Sequence, residues 1–270
     1  MLDNRYSQQA YETFFLPRLS TKEVENIPKD KALLVLHIGA VEQHGEHLPT
    51  FTDTLIGEGL LTQAFEKFNK EHNIWLLPSI PYGKSTEHIG NPGTFSLSAT
   101  TLQHIVMDIG KSAARSGFRR LLILNTHGGN NDLLNMMARD VRTETGLMVF
   151  RLNPQSEKTK EWITSQEADY GIHGGDVETS MVLAFKENWV DMDKAKKEFL
   201  QDLNEKTSLN LKGNRYFAWK MDDISKTGIA GDATKATKEK GIKINTAVSE
   251  ELADTMLEMA DFEIDLLTKS

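Results

Sequence analysis

Acidic and imidazole side chains are concentrated in one short segment early in the chain. The segment HIGAVEQHGEHLPTFTDT places Glu42, His44, His47 and Asp53 within twelve residues, among glycines and a proline. Carboxylate and imidazole groups are the ligands that suit Zn²⁺, Mn²⁺ or Fe²⁺ where thiolates are absent. If residues 42–44 are extended, Glu42 and His44 project to the same side, and the glycines allow the loop to bring Asp53 back to them. The segment predicts a metal site, and a solvated polar loop is the alternative.

A histidine followed by paired glycines occurs twice more. His127 follows an apolar run in the segment NTHGGNND, and His173 precedes Asp176 and Glu178 in the segment HGGDVETS. Carboxylates in a first helical turn also have a structural role, because they oppose the positive end of the helix dipole. That role explains Asp176, but it does not explain the repeated histidine and glycine pair. Three such segments favour a metal site built from nitrogen and oxygen ligands.

The composition excludes several kinds of protein. The 270 residues include eight histidines and no cysteine, so a disulfide scaffold, a thiolate zinc site, an iron–sulfur cluster and a cysteine nucleophile are excluded. Thirty-nine acidic residues outnumber thirty-one basic ones, and this balance argues against nucleic acid as a partner. No apolar run approaches the roughly 20 residues that cross a bilayer. No signal peptide is evident, so we expect a cytoplasmic protein without a membrane partner.

Other catalytic signatures and any division into domains are absent from the sequence. It has no phosphate-binding loop, no dinucleotide fingerprint after a strand and no serine nucleophile elbow. It also has no internal repeat and no linker rich in glycine and serine. The sequence therefore predicts one domain over residues 1–270.

Apolar runs with strand character alternate with segments of helical spacing. The predicted strands cover residues 32–37, 73–77, 121–124 and 147–152, and the predicted helices cover residues 54–70, 98–117 and 131–146. The remainder from residue 176 to 270 is predicted to be mainly helical, with an irregular loop around residues 213–241. This alternation predicts an α/β fold with a buried, mostly parallel sheet. In such folds ligands bind beyond the carboxyl ends of the strands, where the histidine segments lie.

The histidine segments together resemble the creatininase family of metal-dependent hydrolases. The resemblance rests on the segments GAVEQHGEHLPTFTD (39–53), NTHGGN (125–130) and HGGDVETS (173–180), with weaker support from residues 83–98 and 228–241. It covers the chain from about residue 30 to 245. It implies a three-layer, mostly parallel sheet flanked by helices, one or two divalent ions of zinc, manganese or iron, and a homo-oligomer, commonly a hexamer.

The resemblance also implies roles for individual residues. Metal ligation falls to Glu42, His44, Asp53, His127 and Glu178, with Asp53 between two ions. His173 corresponds to the histidine that the family uses for proton transfer. His47, Glu87 and His88 are assigned to contacts with the substrate, and for His47 and His88 a contact with a metal ligand is the alternative.

One position departs from creatininase proper. That enzyme has a metal-binding glutamate two residues after the histidine of the second motif, where this chain has Gly129. We therefore expect a relative that hydrolyses the C–N bond of another small molecule, a cyclic amide or a formamide, with metal-activated water. The alternatives are a hydrolase that opens the ring ketone of a cyclic polyol, a peptide-trimming relative, and a non-enzymatic assembly protein with a structural metal.

Overall fold

A parallel β-sheet forms the centre of the structure, a computed structural model that describes residues 5–200 and 207–267. Its strands are β1 (Leu33–Ile38), β2 (Ile74–Leu76), β3 (Arg120–Asn125) and β4 (Met148–Leu152), in the order β2-β1-β3-β4. All neighbouring strands are parallel. Every residue of β1 and β3 is buried, as their continuous apolar runs predict. The predicted α/β class and parallel sheet are confirmed.

Helices cover both faces of this sheet. The helices are α1 (Gln9–Glu12), α2 (Thr21–Glu25), α3 (Thr52–Phe65), α4 (Ala99–Arg115), α5 (Asn131–Thr145), α6 (Ser165–Tyr170), α7 (Asp176–Lys186), α8 (Met221–Ile224) and α9 (Lys238–Asp261). A separate antiparallel pair joins β5 (Lys197–Glu198) to β6 (Gly231–Asp232). Among the described residues, no helix is long and apolar enough to cross a membrane.

The strand side chains divide between two hydrophobic layers. Leu33 and Val35 of β1 pack in one layer with α3, α7 and α9, while Leu34 and Leu36 pack in the other with α4 and α5. This division follows from the period of two in a strand, which sends alternate side chains to opposite faces. The result is the three-layer arrangement that the family resemblance implies.

Helix α3 differs from its predicted bounds at both ends. It begins at Thr52, so Asp53 lies in its first turn and not in the preceding loop. It ends at Phe65, and the Gln9 side chain donates to the carbonyl oxygens of Phe65 and Phe68 at 2.8 and 2.9 Å. These bonds satisfy carbonyl groups that the end of a helix leaves without partners. The predicted end at residue 70 was wrong. The contact with Gln9 is not visible in the local sequence pattern, because Gln9 is distant in sequence.

The segment after residue 176 is less helical than predicted. Between α7 and α9 the described residues are mostly irregular, apart from the β5–β6 pair, the short helix α8 and short turns. Helix α9 begins at Lys238, so Gly241 lies inside a helix and not at the end of a loop. A Cβ atom at Gly241 would overlap the carbonyl oxygen of Ser180 in α7. The glycine therefore allows the two helices to approach closely.

Candidate metal centre

Three segments bring a carboxylate pair and an imidazole together beyond the carboxyl ends of β1 and β3. Glu42 follows β1, Asp53 lies in the first turn of α3, and His127 follows β3. His127 Nδ1 lies 3.1 Å from Asp53 Oδ2 and 3.3 Å from Glu42 Oε2. All three side chains are buried. Their ligand atoms lie within 4.8 Å of one another, a spacing that could hold one metal ion.

A second group of ligand atoms lies on the other side of Asp53. His44 Nε2 is 3.4 Å from Asp53 Oδ1 and 3.9 Å from Glu178 Oε2. Glu178 lies in the first turn of α7, where its Oε2 accepts a 2.6 Å hydrogen bond from the backbone N–H of Gly174. His44, Glu178 and His173 form a second possible ligand group. The two oxygens of Asp53 thus face different groups, as a carboxylate shared by two ions would.

The buried polar atoms of these groups fit a cation. Glu42 Oε2, His44 Nε2 and Asp53 Oδ2 are buried and make no hydrogen bond within the described part of the chain. A buried polar atom without a partner costs about 1–3 kcal/mol, and more when it is charged. Glu42 Oε2 and Asp53 Oδ2 belong to the group with His127, and His44 Nε2 faces the other oxygen of Asp53, so divalent cations at the two groups would satisfy all three atoms. The residues present therefore fit a metal ion.

The other nitrogen of each imidazole faces a backbone carbonyl group. His127 Nε2 lies 3.2 Å from the carbonyl oxygen of Lys84, and His44 Nδ1 lies 3.1 Å from that of Glu42. A carbonyl oxygen only accepts, so each of these nitrogens carries the proton in the neutral ring. The lone pair then lies on His127 Nδ1 and His44 Nε2, which face the carboxylates. This is the tautomer that a metal-binding histidine requires.

The carboxylates create a site that favours positive charge. Burial alone would lower the pKa of His44, but Asp53 and the neighbouring carboxylates raise that pKa to about 9. Burial likewise opposes protonation of His127, and Glu42 and Asp53 still raise its pKa well above the usual range. In Glu178 burial dominates and raises the pKa of the carboxyl to about 7. The centre thus attracts protons, and a metal ion would replace them.

His173 lies between two other imidazole rings. Its ring centroid is 4.0 Å from that of His44 and 4.3 Å from that of His88. His173 Nε2 donates to the carbonyl oxygen of Gln43 at 2.6 Å, and Nδ1 lies 3.7 Å from Glu42 Oε1. Burial first, and then the charges of His44 and His88, lower the pKa of His173 well below its usual value. The ring is therefore neutral at pH 7, with its free nitrogen facing the carboxylates.

The three residues expected to contact substrate lie at different places. His88 Nε2 is 3.4 Å from Glu42 Oε1, which makes His88 part of a third possible ligand group with Glu42 and His173. Glu87 Oε1 lies 3.5 Å from His127 Nε2. His47 is buried against α7, where its Nε2 lies 2.9 Å from Thr179 Oγ1. Within the described chain, His47 belongs to none of the possible ligand groups.

Amide side chains that the sequence reasoning did not select hold the His127 segment. Asn125 Nδ2 donates to the carbonyl oxygen of His127 at 2.7 Å. Asn130 Nδ2 donates to the carbonyl oxygen of Gly39 at 3.2 Å, and Asn130 Oδ1 accepts from the backbone N–H of Lys84 at 2.8 Å. These bonds tie three loops of the site together. The signal was the density of asparagine in the segment NTHGGNN.

A cavity of about 230 Å³ adjoins the candidate metal centre. Both His127 and Glu178 contribute to its wall. The other lining residues include the apolar Ile56, Leu60, Val177 and Met181 and the amides Asn125 and Asn153. A small ligand in this cavity would therefore meet apolar side chains beside the ligand groups.

Comparison with known proteins assigns the chain to a family. The family model for creatininase (creatinine amidohydrolase) matches residues 17–256. A mycofactocin precursor peptide peptidase of Mycobacterium ulcerans (strain Agy99) is 30% identical over 234 residues, which cover 85% of this chain and 86% of that protein. Creatinine amidohydrolase of Pseudomonas putida is 30% identical over 202 residues, 68% of this chain and 76% of that protein. A solved structure of manganese creatininase aligns with a TM-score of 0.73 at 25% identity, covering 92% of this chain and 99% of that one. The chain belongs to the creatininase family of metal-dependent amidohydrolases.

Proposed function

We propose that this protein hydrolyses the C–N bond of a small cyclic amide or formamide with a water molecule that one or two divalent ions activate. The observation that carries the proposal is that three ligand atoms of the two groups around Asp53, namely Glu42 Oε2, His44 Nε2 and Asp53 Oδ2, are buried and without hydrogen bonds among the described residues. These atoms are suited to hold Zn²⁺, Mn²⁺ or Fe²⁺.

Two ligand sets share Asp53 in this proposal. Glu42, Asp53 and His127 would hold one ion, and His44, Asp53 and Glu178 would hold a second. Bound there, a divalent ion supplies Lewis-acid activation of water and of the substrate carbonyl. The carbonyl groups of Lys84 and Glu42 keep the two imidazoles in the ligand tautomer.

His173 moves the proton in this reaction. The carbonyl group of Gln43 fixes the proton on Nε2, so Nδ1 is the nitrogen that accepts a proton from water and donates it to the leaving nitrogen. Burial holds the pKa of His173 well below its usual range, so the ring is neutral before the reaction and its protonated form is a strong acid towards the leaving nitrogen. The stacked rings of His44 and His88 hold the imidazole in place.

The cavity beside His127 and Glu178 supports the proposed substrate class. Its volume of about 230 Å³ and its apolar wall suit a small, largely uncharged amide. Gly129 stands where creatininase proper has a metal-binding glutamate, so creatinine itself is a poorer candidate than other cyclic amides or formamides.

Trimming of a short peptide is the second candidate function. It is favoured by 30% identity to the mycofactocin precursor peptide peptidase over 85% of this chain. The apolar cavity could accept an aliphatic side chain next to the scissile bond. Opening of a ring ketone in a cyclic polyol is the remaining enzymatic alternative.

The deciding experiment combines metal analysis with substrate profiling. Purified protein, as isolated and after reconstitution with Mn²⁺, Zn²⁺ or Fe²⁺, is analysed for bound metal. The loaded protein is then assayed against creatinine, formamidopyrimidines, keto-inositols and short peptides. We expect one or two ions per chain and turnover of an amide. Absence of bound metal under all conditions would refute the metal centre, and turnover of keto-inositols alone would refute the amide assignment.

We also propose that the protein forms a homo-oligomer. Three large apolar side chains in the segment 82–95, which also contains Glu87 and His88, are exposed, namely Tyr82, Ile89 and Phe95, with relative exposures of 45%, 59% and 64%. Exposed large apolar side chains that form a contiguous surface patch are typical of protein interfaces. Light scattering during size-exclusion chromatography should give a mass above that of one chain, and a single-chain mass at micromolar concentration would contradict this proposal.

A further inference from the structure

Because Gly129 has no side chain, there is space beside His127, and the Glu87 side chain occupies it. A Cβ atom at Gly129 would overlap Glu87 Oε1 and would lie 2.5 Å from His127 Nε2. It would also lie 2.7 Å from the carbonyl oxygen of Lys84. At the neighbouring Gly128, by contrast, a Cβ atom would meet no atom within 4 Å. The requirement for glycine is therefore specific to position 129.

The Glu87 carboxylate fills this room and faces His127. Glu87 Oε1 lies 3.5 Å from His127 Nε2, and only 16% of the Glu87 side chain is exposed. Glu87 lies in a 3₁₀ turn, Thr86–His88, so its place depends on that turn. The backbone N–H of Ser85 donates to Ser96 Oγ at 2.9 Å and thereby anchors the start of the turn.

His127 Nε2 is thus surrounded by oxygen atoms. The carbonyl oxygen of Lys84 lies 3.2 Å away, Ser85 Oγ lies 3.4 Å away, and the Glu87 carboxylate completes the set. Nδ1 of the same ring faces Glu42 and Asp53. A carboxylate behind a metal-binding imidazole fixes its tautomer and increases its basicity as a ligand.

We propose that Glu87 is a positioning residue of the metal centre, which acts through His127, and that Gly129 is required because it leaves space for the Glu87 carboxylate. This inference rests on the proposed function, since it takes His127 as a metal ligand. It assigns Glu87 a role behind the ligand in place of a contact to substrate. It also predicts that positions 87 and 129 are coupled.

The test measures metal affinity in single and double variants. The dissociation constant for Zn²⁺ or Mn²⁺ is determined by competition with a chromogenic chelator, and the Tm of each metal-free protein is measured in parallel. We expect Glu87→Ala to weaken metal binding about 10- to 100-fold, the usual effect of removing a residue behind a metal ligand, while the metal-free Tm stays at the wild-type value. Glu87→Gln keeps an oxygen acceptor without the charge, so its metal affinity should lie between those of the wild type and Glu87→Ala.

The double variant tests the coupling. Gly129→Ala should weaken metal binding in the wild-type background, where the added methyl group displaces Glu87. In the Glu87→Ala background the same substitution should weaken binding less than in the wild type, because the close contacts with His127 Nε2 and the Lys84 carbonyl oxygen remain but no Glu87 carboxylate is displaced. Glu46→Ala is the matched control, because Glu46 is an exposed carboxylate whose partner is Lys196 at 4.0 Å. That variant should bind metal as the wild type does.

The contrary results are distinct from failure of the metal centre itself. Wild-type affinity in Glu87→Ala would overturn the inference, and so would additive effects of the two substitutions. If the wild-type protein binds no metal at all, the proposed function fails instead. A loss of affinity that appears equally in Glu46→Ala would also overturn the specific role of Glu87.

Discussion

Asp53 Oδ2 and His127 Nδ1 lie 3.1 Å apart, and their contact joins the first turn of α3 to the segment that follows β3. The two strands that precede these residues are neighbours, with His37 of β1 paired to Leu124 of β3. Thr126 strengthens the same junction, since its hydroxyl donates to the carbonyl oxygen of Asp53 at 2.8 Å. The candidate metal centre is therefore built on adjacent rigid strands.

Replacement of His127 by alanine should remove metal and keep the fold. The substitution deletes Nδ1, the atom that faces both Glu42 and Asp53. Elemental analysis after dialysis should show loss of at least one ion per chain, while the far-ultraviolet circular dichroism spectrum stays like that of the wild type. Full metal retention in His127→Ala would remove this residue from the ligand set.

Replacement of His173 by alanine should have the opposite effect. The variant should retain metal, because Glu42, His44, Asp53, His127 and Glu178 remain. Its kcat should fall about 10²- to 10⁴-fold, the usual contribution of general acid–base catalysis. The measurement is steady-state kinetics on the substrate found by profiling, with metal content determined on the same sample. Wild-type turnover would contradict the role in proton transfer.

A buried ion pair holds α9 against α7. Lys240 Nζ lies 2.7 and 2.6 Å from the two carboxylate oxygens of Asp176, which is fully buried. Lys240→Ala would leave this carboxylate buried without its partner, so we expect the free energy of unfolding to fall by about 3–5 kcal/mol. Urea denaturation measures the change.

A second lysine provides the control for that prediction. Lys238 lies in the same first turn of α9 and pairs with Glu187 at 2.6 Å, but both side chains are exposed, at 45% and 62%. Exposed pairs contribute about 0–1 kcal/mol, so Lys238→Ala should change stability little. Equal effects of Lys240→Ala and Lys238→Ala would show that burial of Asp176 does not determine the loss in the free energy of unfolding.

Stability at acidic pH should depend on Glu198. Burial would raise the pKa of this carboxyl, but hydrogen bonds from Thr227, Lys226 and Ser225 lower it from 4.5 to about 2. The folded pKa is depressed, so the stabilisation is complete above about pH 4.5 and is lost as the pH falls through 2. The free energy of unfolding should therefore decline over this range less steeply in Glu198→Gln than in the wild type.

The exposed Glu66 serves as the comparison, because Glu66→Gln removes one carboxyl group without removing such bonds. Urea denaturation of each variant at several pH values between 2 and 5 measures the slopes. If the free energy of unfolding changes with pH equally in Glu198→Gln and in the wild type, the lowered pKa of Glu198 is refuted.

Much of the fold could be predicted from local pattern. The buried strands β1 and β3 appear as continuous apolar runs, and α5 ends where Gly146 adopts a left-handed conformation with φ of 73°. The end of α3 could not be predicted, because the Gln9 side chain that binds its last carbonyl groups lies far away in sequence. The position of Gly241 inside α9 was missed for a similar reason. A glycine is needed there because α7 packs closely against it, and α7 is distant in sequence.

The candidate site was predictable in its residue types more than in its arrangement. Imidazole and carboxylate groups in motif segments predicted ligands without any knowledge of the fold. The position of His88 beside Glu42 and the contact of Glu87 with His127 depend on how the loop after β2 folds over the sheet. Spacing along the chain carries no information on such contacts, so Glu87 was expected to contact a substrate, and His88 to contact either a substrate or a metal ligand.

The ligand set has a consequence for the order in which the protein matures. Its members extend from Glu42 to Glu178, and Glu178 lies on a helix that Lys240 fastens from near the end of the chain. Residues as far apart in sequence as Glu42 and Glu178 come together only when the sheet and the helices α7 and α9 have packed. The position of Glu178 therefore depends on the packing of α9 against α7, and metal binding should report that these two helices have docked.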